Sequence, residues 1–521
     1  MENEGRETMG AGRTEFELKF VGAPADLAAL PKSRFFSAIA PKDGAWERLS
    51  STYFDTEDGV LAKRGRSLRL REEGADYIQA VKAKGANAAS RMEYEVAIAK
   101  AEDFPAPVGE EEIDALIEGL IPKLIPVAGT AVDRWAAEIA YRDAKIELAV
   151  DLGQAESRDG EGRIFAGPLA EVELELIEGE PAAVFDFARL LTDNAPLRLS
   201  GGTKLETALA LQDPANPTPK REKDNIDPEM SAADVLGTSL TQIAARLSEL
   251  QPALIDYRRP EGVHQMRVAL RRLRAIERIF RRYVGSDEIA RLAARAKLIA
   301  GAMGPARDWD VFLEETLPAA QEGAYAPEGL RALKARAEIA RAAAWQDAVA
   351  AVSGREFTQF LIDVMAAGTL MGWREDAKKS LFRPAREFAP KVLDRALKKA
   401  RRTAKEAIGA HELAARHPLR IALKKLRYPI QLFRGIYPKT HRKEYMAALS
   451  TLQDAFGAVN DAVVAQGLAE RAARGEGAGG EGLMRAAGFI SGYKAAEARE
   501  AAKKIDAAWD AFEKMTPFWR E

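Results

Sequence analysis

The sequence predicts two different halves: an N-terminal antiparallel β barrel with a polar interior, and a C-terminal all-helical half. Three observations predict this division. Charged and apolar residues alternate in short segments up to about residue 207, and this period of two is typical of β strands. Residues 213–230 are a polar, Pro-rich linker. After the linker, long stretches rich in Ala, Leu, Arg, Lys and Glu have the helical period of 3.6 residues.

The alternating segments place the elements of the first half. We expect strands at residues 15–21, 48–55, 67–72, 76–84, 90–98, 130–140, 144–152 and 169–177. Helical patterns occupy residues 24–38, 109–121 and 181–193. About eight strands, each with one charged face, favour an antiparallel barrel with a polar interior. The expected domains are residues 1–212, the linker 213–230, and a helical domain 231–521 with repeats at about 231–383 and 384–521.

The charged faces of these strands are the candidate site. In the first strand Glu15, Glu17 and Lys19 share one face, while Phe16 and Leu18 share the other. The further charged rows are Arg69 and Arg71; Lys82 and Lys84; Arg91, Glu93 and Glu95; Arg134; Glu147 and Asp151; and Glu171, Glu173 and Glu175.

Two orientations of these rows are open. Charged strand residues usually face water, as on the outside of a sandwich. The segregation of sign favours the interior instead, because Arg69 and Arg71 are basic whereas residues 171–175 carry only acidic charges. The opposite faces are apolar, so a hydrophobic layer has to lie outside the charged one. We therefore expect a charged lumen that holds cations and something anionic.

Composition sets the remaining limits. The 521 residues are 47% hydrophobic and include no cysteine, which excludes disulfides and thiolate metal sites and fits a reducing cytoplasm. No run of about eighteen apolar residues occurs, so we expect neither a signal peptide nor a membrane span. The net charge of −2 hides an acidic first half and a basic second half. The basic half is expected to meet a polyanion.

The charged strands resemble a known family. Glu15-x-Glu17-x-Lys19, Arg69-x-Arg71, Lys82, Arg91-x-Glu93-x-Glu95 and Glu171-x-Glu173 occur in the order of the CYTH domain, also called the triphosphate tunnel metalloenzymes. The resemblance covers about residues 13–210. It implies an eight-stranded antiparallel tunnel. It also implies an activity on triphosphates with a divalent metal, because members of the family have this activity.

The resemblance also implies roles for single residues. Glu15, Glu17, Glu171 and Glu173 would hold metal, and we add Asp151 to these expected ligands. The expected phosphate-binding residues are Lys19, Arg69, Arg71, Lys82, Lys84, Arg91, Arg134 and Lys204. Lys204 is followed by Leu-Glu-Thr, where relatives have a different stretch. The expected catalytic residues are Glu15, Glu17, Lys19 and Glu171.

The chemistry is coherent from the residues alone. Arg and Lys neutralise phosphate oxygens, and Mg²⁺ or Mn²⁺ takes carboxylate oxygens and bridges phosphates. Hydrolysis then needs positioning and charge stabilisation of an in-line water attack. The carboxylates would either hold a metal-bound water or take its proton directly, and the sequence leaves both open.

The helical half contains an internal repeat. The motif from His264 to Arg274 recurs from His417 to Arg427, and Gly304-Pro-Ala-Arg-Asp308 recurs as Gly457-Ala-Val-Asn-Asp461, at one constant offset. The repeated basic residues fall on one helix face, opposite the apolar stripe. A solvated face is the common alternative, but such faces usually interleave Glu with Lys, and neither basic segment contains an acidic residue.

These repeats resemble the CHAD domain over about residues 231–515. That family has two four-helix bundles around a basic groove and is associated with inorganic polyphosphate. By this resemblance the groove residues would be His264, Arg267, Arg271, Arg274, His417, Arg420, Lys424 and Arg427. A further basic helix over residues 391–405 could extend the groove or serve only solubility.

A CYTH-like half followed by a CHAD-like half resembles the bacterial inorganic triphosphatase type. This implies Mg²⁺- or Mn²⁺-dependent hydrolysis of inorganic triphosphate to diphosphate and phosphate, with polyphosphate bound by the helical half. Three alternatives stay open: a nucleoside or thiamine triphosphatase, a cyclase acting on ATP, and a non-catalytic adaptor of polyphosphate granules. Nucleic acid is not expected, because the basic stripes lack stacking aromatics apart from Tyr428 at one edge. We expect no membrane partner, and a cytoplasmic protein that could associate with polyphosphate granules.

Overall fold

The computed structural model describes residues 13–39, 46–74, 76–84, 90–213, 226–322, 327–409, 413–474 and 480–520. The chain divides into two compact units. One comprises residues 1–219, 240–257 and 353–371, and the other comprises residues 220–239, 258–352 and 372–521. The first unit therefore includes two helical segments that follow the linker in sequence. Residues 214–225 of the predicted linker lie outside the described residues.

The described residues of the first unit form one antiparallel sheet of nine strands. The strands are β1 (Arg13–Val21), β2 (Trp46–Asp55), β3 (Arg66–Glu73), β4 (Asp76–Lys84), β5 (Ser90–Ile98), β6 (Ile125–Tyr141), β7 (Ala144–Arg158), β8 (Ile164–Glu178) and β9 (Arg198–Ser200). The order across the sheet is β5-β4-β3-β2-β6-β7-β8-β1-β9, and β5 also pairs with β1. The prediction of an antiparallel sheet half followed by a helical half is confirmed, with one strand more than the eight expected.

The first strand explains how the sheet folds back on itself. Residues 13–16 of β1 pair with β5, whereas residues 17–21 pair with β8. The ladder from β5 through β8 therefore returns to β5 through β1. The additional strand β9 has only three residues and pairs with the last three of β1. It follows the helix Pro181–Asn194 and is too short to produce an alternating pattern.

Helices cover the apolar face of the sheet. In the order of the chain they are α1 (Pro24–Ala29), α2 (Arg34–Ile39), α3 (Val60–Lys63), α4 (Glu111–Glu118), α5 (Pro181–Asn194) and α6 (Lys204–Ala210). Phe16 of β1 packs edge-on against Phe185 of α5, with ring centroids 5.6 Å apart. Ala208 of α6 is buried with Leu49 and Val132 of the sheet. Because side chains alternate along a strand, these contacts turn the charged rows to the opposite face.

The rest of the described chain is helical. The helices are α7 (Ala232–Ile255), α8 (Pro260–Phe280), α9 (Glu288–Ala302), α10 (Gly304–Val311), α11 (Leu317–Glu322), α12 (Pro327–Ser353), α13 (Arg355–Leu370), α14 (Ala385–Ala407), α15 (His417–Leu432), α16 (Lys439–Arg474) and α17 (Gly480–Glu513). The two basic motifs lie at corresponding places, on α8 and α15. In the described part of the chain, no helix combines the length and the apolar character needed to cross a membrane.

Candidate functional site

Three carboxylates from two adjacent strands meet on the charged face of the sheet. Asp151 lies on β7 and pairs directly with Glu171 on β8, and Glu173 follows two residues later on β8. One oxygen of each carboxylate lies within 4.8 Å of the other two. Asp151 and Glu171 are buried, and Glu173 is half-buried. Because buried like charges repel strongly, this acidic group requires positive charge beside it.

Two lysine ammonium groups lie among these carboxylates. The Nζ of Lys204 is 2.6 Å from Glu173 Oε1 and 2.8 Å from Asp151 Oδ2. The Nζ of Lys19 is 2.7 Å from Glu173 Oε1. Both ammonium groups are also near Glu171 Oε2, at 3.3 Å and 3.5 Å respectively. Burial lowers the pKa of an ammonium, but the carboxylates outweigh it and raise the pKa of Lys19 and, more strongly, of Lys204.

Arg134 of β6 supplies the third positive charge. Its Nε and Nη2 each donate a hydrogen bond of 2.7 Å to Asp151, and Nη2 also donates one of 2.6 Å to Glu173. Burial raises the pKa of a carboxyl, yet the surrounding cations lower the pKa of Asp151 and hold the pKa of Glu173 well below its usual value. Three carboxylates and three cations therefore balance in charge.

A second charged group joins β1, β4 and β5. The Nζ of Lys82 is 3.0 Å from Glu15 Oε2 and 2.8 Å from Glu93 Oε2. Burial and the hydrogen bond with Glu93 raise the pKa of Glu15 to about 8. Burial also acts to raise the pKa of Glu93, but the hydrogen bond from Glu15, together with Lys82 and Arg69, lowers it to about 2. Because the two pKa values shift in opposite directions, the Glu15–Glu93 pair shares one proton at neutral pH.

Two guanidinium groups on β3 extend the basic part of this face. The Nη2 of Arg69 is 3.0 Å from Glu95 Oε1, and the Nη2 of Arg71 is 2.6 Å from Glu73 Oε1. The Nε atoms of both arginines are buried and have no hydrogen-bond partner among the described residues. A buried donor without an acceptor costs free energy, so these two N–H groups are suited to the oxygens of an anion.

Glu171 presents the opposite case, because both of its carboxylate oxygens are buried without a hydrogen bond from any described residue. The Nζ atoms of Lys204 and Lys19 lie 3.3 Å and 3.5 Å from Glu171 Oε2. Hard divalent cations such as Mg²⁺ and Mn²⁺ take carboxylate oxygens. The all-oxygen group of Asp151, Glu171 and Glu173 therefore fits such an ion.

The other expected site residues are placed differently. Glu15 shares a hydrogen bond with Glu93. Glu17 of β1 lies opposite Glu175 of β8 in the strand ladder, and its charge acts on Lys19. Neither Glu15 nor Glu17 belongs to the three-carboxylate group, so their metal and catalytic roles stay predictions.

Two expected phosphate-binding residues cannot be assigned a position on this face. The side chains of Lys84 and Arg91 lie outside the described residues, although their backbones pair with each other. The sequence analysis gave Glu93 and Glu95 no role. The Arg91-x-Glu93-x-Glu95 alternation was the signal that placed them on the charged face.

The basic motifs of α8 and α15 come together in the second unit. Arg271 of α8 and Arg420 of α15 both act to lower the pKa of Lys424, after burial, which is the largest cause. His264 is half-buried, and burial and Arg307 lower its pKa. The Nε atoms of Arg271 and Arg420 are buried without a hydrogen-bond partner among the described residues. These two donors are suited to an anion in the same way as those on β3.

Acidic residues interrupt this basic surface. Burial raises the pKa of Asp308, Arg267 acts to lower it, and Asp461 adds to the rise. The aspartates of the two repeated Gly-x-x-x-Asp motifs thus lie close enough to interact, beside the repeated arginines. The sequence analysis matched these aspartates between the repeats but assigned them no contact.

Two of the expected groove residues, Arg267 and Arg427, form hydrogen bonds within the fold. Arg267 Nη1 donates a 2.6 Å hydrogen bond to the Ala300 carbonyl near the end of α9, and Arg427 Nη1 donates one of 2.7 Å to Gln453 Oε1. His417 is exposed and Arg274 is half-buried.

Comparisons with known proteins agree with this division. Residues 13–209 match the family model of the CYTH domain, and residues 238–470 match that of the CHAD domain. The inorganic triphosphatase of Haemophilus influenzae is 28% identical over 211 residues, which are 38% of this chain and 54% of that protein. The chain thus spans about half the length of this curated relative.

Two solved structures are also similar. The CHAD domain from the plant Ricinus communis is 24% identical with a TM-score of 0.49, over 57% of this chain and 98% of that chain. PptA from Streptomyces chartreusis is 17% identical with a TM-score of 0.42, over 54% of this chain and 99% of that chain. Neither TM-score reaches 0.5, so these two similarities add no weight to a function.

Proposed function

Because this chain carries a CYTH domain followed by a CHAD domain, we propose that it hydrolyses inorganic triphosphate to diphosphate and phosphate with a divalent metal. The similarity of its sheet half to an inorganic triphosphatase supports a triphosphatase activity.

One observation carries the proposal. On the same face of the sheet, the buried carboxylate oxygens of Glu171 accept no hydrogen bond from a described residue, and the buried Nε–H groups of Arg69 and Arg71 donate none to a described residue. The first need a cation and the second need an anion. A metal ion bound to a triphosphate supplies both the cation and the anion. The complex can therefore bind where positive and negative side chains are already present together.

The three-carboxylate group would hold Mg²⁺ or Mn²⁺ through Asp151, Glu171 and Glu173. When bound there, the metal supplies charge neutralisation and Lewis-acid polarisation of phosphate oxygens. Its entry requires the ammonium groups of Lys19 and Lys204 to leave these carboxylates. We assign both lysines to the phosphate oxygens in the loaded site, because the metal then supplies the positive charge that the lysines gave to the carboxylates.

The remaining cations orient the substrate. Arg69, Arg71 and Lys82 lie on the neighbouring strands β3 and β4, and they would bind the phosphates farther from the metal. Holding the chain at several points aligns the scissile bond for in-line attack by water. The Glu15–Glu93 pair shares a proton at neutral pH, so we assign Glu15 as the source of the proton that the leaving diphosphate oxygen needs.

A phosphate-release assay tests the proposal. Inorganic triphosphate, ATP, thiamine triphosphate and long polyphosphate are each supplied with Mg²⁺ or Mn²⁺ to the wild type and to Glu171→Gln. We expect the fastest release from inorganic triphosphate by the wild type. Faster release from ATP or thiamine triphosphate would favour the alternative triphosphatases. Release from none of them would leave the non-catalytic adaptor.

For the helical half we propose binding of inorganic polyphosphate. The buried, unpartnered Nε atoms of Arg271 and Arg420 support an anion there, since they come from the two repeats and lie near the same lysine, Lys424. A long polyanion can contact the basic residues of both repeats at once. The expected domain boundaries, the cytoplasmic location and the association with polyphosphate granules stay predictions.

A further inference from the structure

The candidate site depends on a short segment between α5 and α6. This segment contains β9, Gly201, Gly202 and Thr203, and it leads directly into Lys204. On one side Ser200 pairs with Lys19 of β1. The segment therefore adjoins both lysines that contact the three carboxylates. It pairs with Lys19 through Ser200 of β9, and it precedes Lys204 in the chain.

Thr203 fixes the start of α6 from within the segment. Its hydroxyl accepts a 3.0 Å hydrogen bond from the Glu206 backbone N–H, and the Glu206 carboxylate accepts one of 2.9 Å from the Thr203 N–H. This capping box sets the direction in which the helix leaves the segment. A displacement of the segment would therefore move the first residue of the helix, Lys204.

Helices that follow the linker in sequence hold the other side of this segment, within the same compact unit. Thr358 of α13 is buried, and its hydroxyl donates a 2.8 Å hydrogen bond to the Leu197 carbonyl. Arg198 Nη1 lies 3.3 Å from the carboxylate of Asp256, just after α7. These contacts lie immediately before and within β9.

The closest approach is at Gly201. A Cβ atom built there would lie 3.2 Å from the Ser248 hydroxyl oxygen and 3.8 Å from Ala245, both on α7. A Cβ on the next residue, Gly202, would meet only ordinary contacts, the nearest at 3.8 Å. Neither glycine has a positive φ, so this difference reflects packing rather than backbone strain.

We propose that α7 and α13 are positioning elements of the triphosphate site, acting through the segment from Leu197 to Thr203. The ammonium of Lys204 lies within hydrogen-bond distance of Asp151 and Glu173 here, and the proposed function assigns it to phosphate oxygens in the loaded site. Both positions depend on where α6 begins, and a misplacement of about 1 Å in such a site can cost about 100-fold in rate. Two helices of the half that matches the CHAD domain thus complete a site in the half that matches the CYTH domain. This inference rests on the proposed function of that site.

The test is a double-mutant cycle at the Gly201 contact. Gly201→Ala should raise the KM for triphosphate roughly fivefold with little change in the midpoint of thermal unfolding, because its new methyl pushes the segment away from α7. Ser248→Ala removes the nearest atom, so the double variant should return to within about twofold of the wild type. Gly202→Ala is the matched control and should keep the wild-type KM.

A second pair of variants covers the case in which Gly201→Ala does not fold. Thr358→Val removes the hydroxyl that bonds to Leu197 and should raise the KM, whereas Thr358→Ser keeps the hydroxyl and should not. Equal KM values for Thr358→Val and Thr358→Ser, or a Gly201→Ala defect that Ser248→Ala fails to relieve, would overturn the inference.

Calorimetric titration with triphosphate separates this result from the proposed function. A wild type that binds triphosphate without hydrolysing it would contradict the proposed reaction, and the variants would then be compared by their dissociation constants. A wild type that hydrolyses triphosphate, with both variants equal to it, would overturn the positioning role alone. A wild type that neither binds nor hydrolyses triphosphate would overturn both.

Discussion

The charged face of the sheet and the basic surface of the second unit are built on different rules. On the sheet, each cation close to the three carboxylates has a carboxylate partner within hydrogen-bond distance, as Arg134 has with Asp151. On the helices, the cations mainly face one another, and Lys424 has two basic neighbours and one aspartate. The first arrangement suits a cation and an anion together, which chemistry on a triphosphate needs. The second suits an anion alone, which is binding.

Removing the Glu171 carboxylate tests the mixed site most strongly. Glu171→Gln should lower metal-dependent phosphate release from triphosphate by at least about 100-fold, because it removes a ligand whose two oxygens accept no hydrogen bond from the described part of the chain. Glu178→Gln, at the exposed end of the same strand, is the control. Equal rates for Glu171→Gln and the wild type would contradict the metal site.

The anion-only surface should fail when its charge is reversed. Arg271→Glu combined with Arg420→Glu should weaken polyphosphate binding by roughly 100-fold near 0.1 M salt and flatten its salt dependence. These two arginines are preferred to Arg267, whose bond to Ala300 gives it a structural role. The control reverses Arg291 and Lys297, which are exposed on α9. Hydrolysis of triphosphate should continue in both proteins, and a parallel loss of hydrolysis would end the comparison.

A substitution of Lys204 should distinguish two roles of a cation on the sheet, which are neutralising the carboxylates and binding phosphate. Lys204→Gln leaves the three carboxylates with one positive charge fewer, so Mg²⁺ should raise the unfolding midpoint of this variant more than that of the wild type. The KM for triphosphate should rise roughly tenfold, since a phosphate contact is lost. Thermal unfolding with and without Mg²⁺ measures the first effect. A smaller Mg²⁺ effect than in the wild type would show that Lys204 does not compete with the metal.

The raised pKa of Glu15 predicts a smaller effect, on the pH dependence of the protein's stability. Its pKa is raised from 4.5 to about 8 in the folded protein, so the unfolded chain releases this proton first. The stability contributed by protonated Glu15 is complete below pH 4.5 and is lost as the pH rises through about 8. Glu15→Gln should therefore reduce the loss of stability between about pH 5 and 8 in metal-free protein. Parallel unfolding midpoints of the two proteins across this range would contradict the shift.

The sequence predicted the pattern of the charged rows but not their meeting points. Strict alternation indicated both the strands and the side chains that share a face. All eight predicted strands are present near their expected bounds. Which rows become neighbours depends on pairing between distant strands. The contact of Arg134 with Asp151 follows from the register of β6 and β7, and a slip of one residue would separate the two.

The missed features share one cause, which is that they depend on non-local contacts. Strand β9 is three residues long and exists through its pairing with β1. The proton on Glu15 depends on burial beside Glu93, from a strand far along the chain. Asp308 and Asp461 could be matched by their repeat, but their proximity depends on how the helices pack.

The most direct measurement is anomalous diffraction from a crystal soaked with Mn²⁺ and a slowly hydrolysed triphosphate analogue. The Mn²⁺ peak should lie among the carboxylates of Asp151, Glu171 and Glu173, with the phosphates extending toward Arg69 and Arg71. A Mn²⁺ peak away from these carboxylates, with Lys204 still bonded to Asp151 and Glu173, would contradict the account.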